Sequence, residues 1–233
     1  MNIIDNIVES LKYPLNDWTK ILILTIISII PIVNFMSGGY YLRIIKSTLA
    51  GIDEVPDFDN LGELFIDGIK IIIVGIIYMI VPIILFIIAS LFAAPVTTVD
   101  YSSAYSYLPF TALSGIALVI WLIGVILAII LGLIYVVAIA NMALYDSDLG
   151  AAFKFNEIMD RIKAIGIGNY ILWYIAIIIA IFIVGLIIGL IGFVLFITLI
   201  LIPLAFLIWI AAGAYLSMFQ ARSLALLFAS SIE

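Results

Sequence analysis

A polytopic, all-α membrane protein is what this sequence predicts. Of its 233 residues, 67% are hydrophobic and 10% charged, against about half and a quarter in an ordinary soluble domain, and the mean hydropathy is +1.41. Residues 21–42, 71–99, 101–145 and 164–221 contain no Asp, Glu, Lys or Arg, and a helix needs about 20 such residues to cross a bilayer. The predicted architecture is a single integral membrane domain over residues 1–233: four spans, a re-entrant hairpin at 20–49, and in-plane amphipathic helices.

The elements follow in order. Residues 2–12 place Ile3, Ile4, Ile7, Val8 and Leu11 at helical spacing, with Asp5, Asn6, Glu9 and Lys12 opposite, which predicts a short amphipathic helix ended by Pro14. Its apolar face suits either the headgroup boundary or the underside of the protein itself. Residues 21–42 are broken by Pro31, Asn34 and Ser37-Gly38-Gly39, predicting two short helices near 20–31 and 35–49. Ile71–Ala94 is a clear span kinked at Pro82. Pro95 to Pro109 is a polar loop, and residues 110–144 form a long span. The last apolar block is too long for one helix. Gly185, Gly189 and Gly192 mark its expected break, giving helices near 169–189 and 193–219. The Gly185/Gly189 pair also forms a weak small-residue packing motif. Tyr101, Tyr105 and Tyr107, with Trp121, fit an interfacial aromatic belt.

Basic residues stay on the cytoplasmic side of a membrane. If 21–49 enters and returns as a hairpin, all nine Lys and Arg fall on one side, whereas a single crossing divides them. The hairpin therefore places the N-terminus and the main polar sections in the cytoplasm, in a cell-membrane protein. An irregular turn at membrane depth requires cover from neighbouring helices.

The two polar sections resemble each other. Residues 58–69 set Leu61, Leu64, Phe65 and Ile69 against Asn60, Glu63, Asp67 and Lys70, with Asn60 and Glu63 spaced as a capping box. Residues 148–165 set Leu149, Phe155, Ile158, Ile162 and Ile165 against Lys154, Glu157 and Arg161, the last two in favourable helix-pair order. A shift of 97 residues superposes Phe58, Leu61 and Phe65 on Phe155, Ile158 and Ile162. This suggests a weak duplication of 20–94 and 110–190. Each copy would hold an in-plane helix between two membrane helices.

Composition excludes much chemistry. There is no His and no Cys, which removes Ser-His-Asp catalysis, thiolate nucleophiles and nearly every zinc or copper site. The net charge of −6 disfavours nucleic acid. The acidic run Asp53, Glu54, Asp57, Asp59 has oxygen ligands but not the loop spacing of a calcium hand, so it reads as a solvated connector, and neither a metal nor a cofactor is expected. Asn34, Asn141 and Gln220 are the polar groups within apolar blocks, with Arg43 and Arg222 near span ends. Structural hydrogen bonding is the favoured role for the three amides.

The run Gly39-Tyr40-Tyr41-Leu42-Arg43, then Leu49-Ala50-Gly51, Val55-Pro56-Asp57-Phe58-Asp59-Asn60, Glu63-Leu64-Phe65 and Asp67-Gly68 resembles the family known as domain of unknown function 4013. The Ala-Phe-Lys-Phe segment at 152–155 fits too. Leu61 departs from that pattern, standing where family members often carry an aromatic residue. The resemblance implies a small multi-span membrane protein, of a mostly archaeal family, and no assigned activity.

The functional expectation is a non-enzymatic membrane scaffold or interaction protein. Phe58, Asn60, Glu63, Asp67, Lys70, Lys154, Glu157 and Arg161 would form a surface toward membrane lipids or a protein partner at the cytoplasmic face. A transporter or channel for a small apolar or lipid-like solute is the alternative, with Pro31, Pro82 and Pro203 as hinges.

Overall fold

The computed structural model describes residues 2–92, 115–198 and 201–232, and among them every regular element is helical. These are α1 (Ile3–Lys12), α2 (Trp18–Ile29), α3 (Phe35–Leu49), α4 (Leu61–Leu91), α5 (Gly115–Leu144), α6 (Phe155–Ile165), α7 (Ile167–Ile197) and α8 (Ile202–Ala229). Short 3-10 turns fall at Tyr13–Asn16 and Leu149–Phe153. Among the described residues, α4, α5, α7 and α8 are the four helices long and apolar enough to cross a membrane. The protein is thus a multi-pass membrane protein by the length and composition of its helices. Tyr101, Tyr105 and Tyr107 of the expected aromatic belt lie outside the described residues.

Two compact units divide the chain: residues 1–74 with 136–233, and residues 75–135. The second is an antiparallel pairing of the later turns of α4 with the earlier turns of α5. Gly75 faces the Tyr135 phenol, Gly132 faces Met79, and Gly124 lies against the Phe86 ring. Tyr78 meets Tyr135 edge-on, with ring centroids 5.9 Å apart.

The first unit is built around the C-terminal half of α8, which packs against α1, α2, α3 and α7. Met218, Phe219, Leu224 and Phe228 are buried there, and so are Ala221, Ser223 and Ala225. The small residues Ala221, Ser223 and Ala225 let neighbouring helices approach closely, as packing in lipid favours, while the large apolar side chains fill the space between them.

Asn2 caps α1 by accepting the Ile4 amide. Asp17 caps α2 by accepting the Thr19 amide. The hairpin is α2 and α3. At about 1.5 Å per residue, the 12 residues of α2 rise only ~18 Å, roughly half of a bilayer's hydrocarbon thickness. Its tip differs from the covered turn that membrane depth was expected to require. Ile30 and Ile32 stand exposed there. Much of the turn's hydrogen bonding is internal: the amides of Ile30, Asn34, Phe35, Met36 and Ser37 all bond to carbonyls within residues 27–34. Ser37 donates to Asn34 Oδ1 at 3.2 Å and lies 3.1 Å from Ser28 Oγ, stitching the two arms together.

α3 crosses α4 at glycines. A Cβ on Gly39 would overlap the Leu64 carbonyl, and one on Gly68 would overlap the Phe35 carbonyl. Only hydrogen fits between these backbones.

Three sequence expectations change. The stretch 58–69 is not a separate in-plane helix, because α4 runs unbroken from Leu61 to Leu91. Its 31 residues extend ~46 Å, about 16 Å more than the hydrocarbon core, so the first polar turns project beyond the apolar layer. The capping box is absent as well. Asn60 adopts φ 48°, its carbonyl accepts the Glu63 and Leu64 amides, and Glu63 reaches toward Arg43 and Lys46. Finally, α7 passes straight through Gly185, Gly189 and Gly192. The break comes between α7 and α8, and Pro203 sits in the first turn of α8, where its missing N–H costs nothing.

α6 is a distinct short helix, parted from α7 by Gly166 at φ 88°. Ile158, Ile162 and Ile165 face inward. Their counterparts across the proposed duplication differ: Leu61 is exposed while Ile158 is buried.

Candidate functional site: the charged end of the first unit

Every charged side chain among the described residues belongs to the first unit. Most of these charges are spent on three clusters that tie distant segments together.

Asp67 anchors the first. It is nearly buried on the turns of α4 that also carry Gly68. Ser147 Oγ donates to Asp67 Oδ2 at 2.7 Å, and Lys70 Nζ donates to Asp67 Oδ1 and to the Ser147 carbonyl, both at 3.0 Å. Lys46, on α3, donates to Asp146 at 2.9 Å and lies 3.4 Å from Asp67. Asp146 and Ser147 both hold positive φ, 50° and 63°, and this strained backbone aims both side chains at the cluster. Burial alone would pull the Lys46 ammonium down, but its hydrogen bond to Asp146 and the charges of Asp67 and Asp146 hold it above the usual lysine range. The Lys46 hydrogen bond and charge, in turn, hold the Asp146 carboxyl below the usual carboxylate range.

Arg222 anchors the second, from within α8. Its guanidinium donates to Glu9 of α1 at 2.7 Å, to Asp53 of the connector at 2.5 Å, and to Thr48 Oγ1 of α3 at 3.2 Å. It also lies over the Tyr13 ring, 5.1 Å from the centroid. Burial pushes the Tyr13 phenol up to about 12, with the Arg222 charge working against that. Beside this hub, Asn6 Nδ2 donates to the Ser223 carbonyl at 3.1 Å, Ser223 Oγ donates to Asn6 Oδ1, and Trp173 Nε1 donates to Ser223 Oγ at 2.9 Å.

The acidic connector is therefore a strap. Asp53 is tied to Arg222, Asp57 to Lys20, and Asp59 to Arg43, so one loop clasps α8, α2 and α3. Lys20 holds the Asp57 carboxyl below its usual range. Phe58 stacks on Tyr40 at 4.0 Å, and Tyr40 donates to the Pro56 carbonyl at 2.8 Å.

The third cluster surrounds α6. Tyr145 donates to Glu157 at 2.8 Å, Lys154 caps the Tyr145 ring at 3.8 Å, and Arg161 donates to the Ser231 carbonyl at 3.1 Å. Glu157 is 3.7 Å from Arg161, the favourable i,i+4 pair read from the sequence.

The residues expected to form one surface are thus divided. Phe58, Asp67 and Lys70 are held by α3, by Ser147 and by one another. Glu63, Lys154, Glu157 and Arg161 retain solvent-facing atoms, Asp160 and Lys163 are more exposed still, and the Phe155 ring is about half-exposed. Asn141, fully buried, donates to the Ala151 carbonyl at 3.0 Å and holds the chain after α5. Asn34 steadies the hairpin turn, and Gln220 is half-buried two residues before Arg222. Sequence reasoning placed Arg222 near a span end without its hub role. The available signal was its isolation as the one charge in residues 164–232.

A family model described as "Protein of unknown function (DUF4013)" matches residues 23–193. An uncharacterized protein of Methanocaldococcus jannaschii is 46% identical over 65 residues, which are 26% of this chain and 23% of that protein. The matched stretch thus spans about a quarter of that relative's length. No solved structure matches.

Proposed function

The chain belongs to the DUF4013 family of proteins of unknown function, and from that premise we propose that it is a non-enzymatic scaffold or interaction protein of the cell membrane. Its N-terminus and polar sections face the cytoplasm, where they meet lipid headgroups or a protein partner. The observation that carries this reading is the distribution of charge. The internal clusters fix the frame, while Asp160 and Lys163, paired only with each other, project outward on the same helix as the exposed Phe155 ring. Rim charges of this kind steer and orient a partner more than they add affinity, and an exposed aromatic among them supplies an anchor. The cytoplasmic side follows from the bias of Lys and Arg.

Two experiments test the reading. Replacing Asp160 and Lys163 together, with Asp67, Lys154 and Arg222 left intact, removes the outward charges of α6 and spares the frame. Loss of the proteins or lipids that co-purify with the wild type supports the proposal, and unchanged recovery sinks it. Single cysteines at 60, 103 and 156, labelled from outside intact cells, should react only at 103. Reaction at 60 or 156 overturns the assigned side.

A further inference from the structure

α1 is fastened to α8 along one edge. The bonds of Asn6 with Ser223, the pair Glu9–Arg222, and the bond from Tyr215 to the Leu11 carbonyl at 2.6 Å all lead to that helix. The opposite edge of α1 is its apolar one, and it overhangs α7 instead of closing on it. A cleft of about 340 Å³ remains, walled by Ile4, Val8 and Leu11 on one side and Ala176, Ala180 and Ile183 on the other. A second cavity, of about 390 Å³, lies at the charged end and is lined by the polar side chains of Asn2, Asn169 and Ser230. Ile3 lines both. The two adjoin at Ile3, an apolar compartment beside a polar one, each within the size of small-ligand clefts. Asn2, Asn169 and Ser230 each hold one local bond, to the Ile4 amide and the Ile165 and Leu227 carbonyls, which leaves Asn2 Nδ2, Asn169 Oδ1 and a lone pair of Ser230 Oγ for a headgroup.

We propose that this site binds one membrane amphiphile, its uncharged or zwitterionic headgroup against Asn2, Asn169 and Ser230 and its acyl or alkyl chain under α1. The polarity gradient selects the occupant. The head compartment lies where α7 leaves the charged loops, and the tail compartment lies along residues 176–184, inside a charge-free block. An apolar partner helix on this edge would leave the polar compartment without a match, whereas an amphiphile fits both compartments. The small side chains of Ala176 and Ala180 line the cleft opposite Ile4, Val8 and Leu11. The site does not depend on the scaffold reading, since it uses neither Phe155 nor the outward charges.

The test uses the full chain in phosphatidylcholine nanodiscs containing a trace of phosphatidylcholine with a diazirine on one acyl chain. After irradiation, adducts are mapped by peptide. Labelling of 3–11 and 176–184 should exceed that of the equally apolar 186–197 at least threefold. Ala180→Trp, which fills the tail compartment, and Asn169→Leu, which strips a polar group from the head compartment, should each abolish that excess while labelling of 186–197 stays unchanged. Ala176→Phe serves the same purpose if Ala180→Trp does not fold. Uniform labelling, or an excess that survives these substitutions, overturns the proposal. So does disulfide cross-linking between two chains, one carrying Ile4→Cys and the other Ile183→Cys, which would make the occupant a second copy.

Discussion

Arg222 and Glu9 are 213 positions apart in the chain and 2.7 Å apart in the fold. One terminal helix is thereby locked to the other, and the same guanidinium reaches Asp53 on the connector. Removing a buried member of an ion pair costs about 3–5 kcal/mol, but Glu9 and Asp53 are half to largely exposed and would rehydrate. Arg222→Met should therefore destabilise the protein by about 1–3 kcal/mol, with Arg222→Lys recovering only part because it cannot fork to both acids. Glu9→Gln and Asp53→Asn should each cost less than about 1 kcal/mol. Thermal unfolding in detergent measures all four, and an Arg222→Met protein as stable as wild type would refute the hub.

The glycines of this chain fall into two kinds. Gly39→Ala and Gly68→Ala put a methyl into the backbone of the neighbouring helix and should destabilise by about 1–3 kcal/mol or more. Gly185 and Gly189 have open space where a Cβ would stand, so alanine there should be neutral or stabilising by up to about 1 kcal/mol. Melting temperatures of the four variants, side by side, check the contrast.

The Lys46–Asp146 pair predicts a stability plateau with two limbs. Asp146 has a depressed folded pKa, so its contribution is present above the unfolded value near ~3.9 and fades as pH falls through the folded one. Lys46 has a raised folded pKa, so its contribution is full below ~10.4 and fades as pH rises through the folded value. Asp146→Asn should flatten part of the acid limb in a melting-temperature profile. An acid limb identical to wild type would show that the pair is uncoupled from folding.

Asn141→Ala leaves the Ala151 carbonyl without its amide donor in a fully buried place. The expected loss is about 1–3 kcal/mol. Because the bond fastens the segment leading into α6, hydrogen exchange should rise first in residues 145–153, and protection unchanged there would count against this assignment.

Lipid partitioning is a property of local composition, and it made most of the helical inventory legible. Charge-free stretches and Pro31 marked the hairpin, and the 3.6-residue spacing of Ile3, Ile7 and Leu11 marked α1. The glycines at 185–192 misled because glycine is read as a breaker in water, while an apolar surround keeps the helix hydrogen-bonded through them; Pro203 was the true boundary. The surface expected at 58–70 also failed to stay whole, since periodicity shows that Asp67 faces away from Leu61 but not what meets it.

Composition and periodicity alone determined that this chain is a bundle of membrane helices with its charge confined to a few short segments, because transfer of apolar and charged groups between water and lipid depends only on the groups themselves. Which charges meet was decided by tertiary structure. Asp67 with Ser147, Lys46 with Asp146, and Arg222 with Glu9 join segments about 80 to 213 positions apart, and Coulomb and hydrogen-bond energies depend on distances that only the packed helices set.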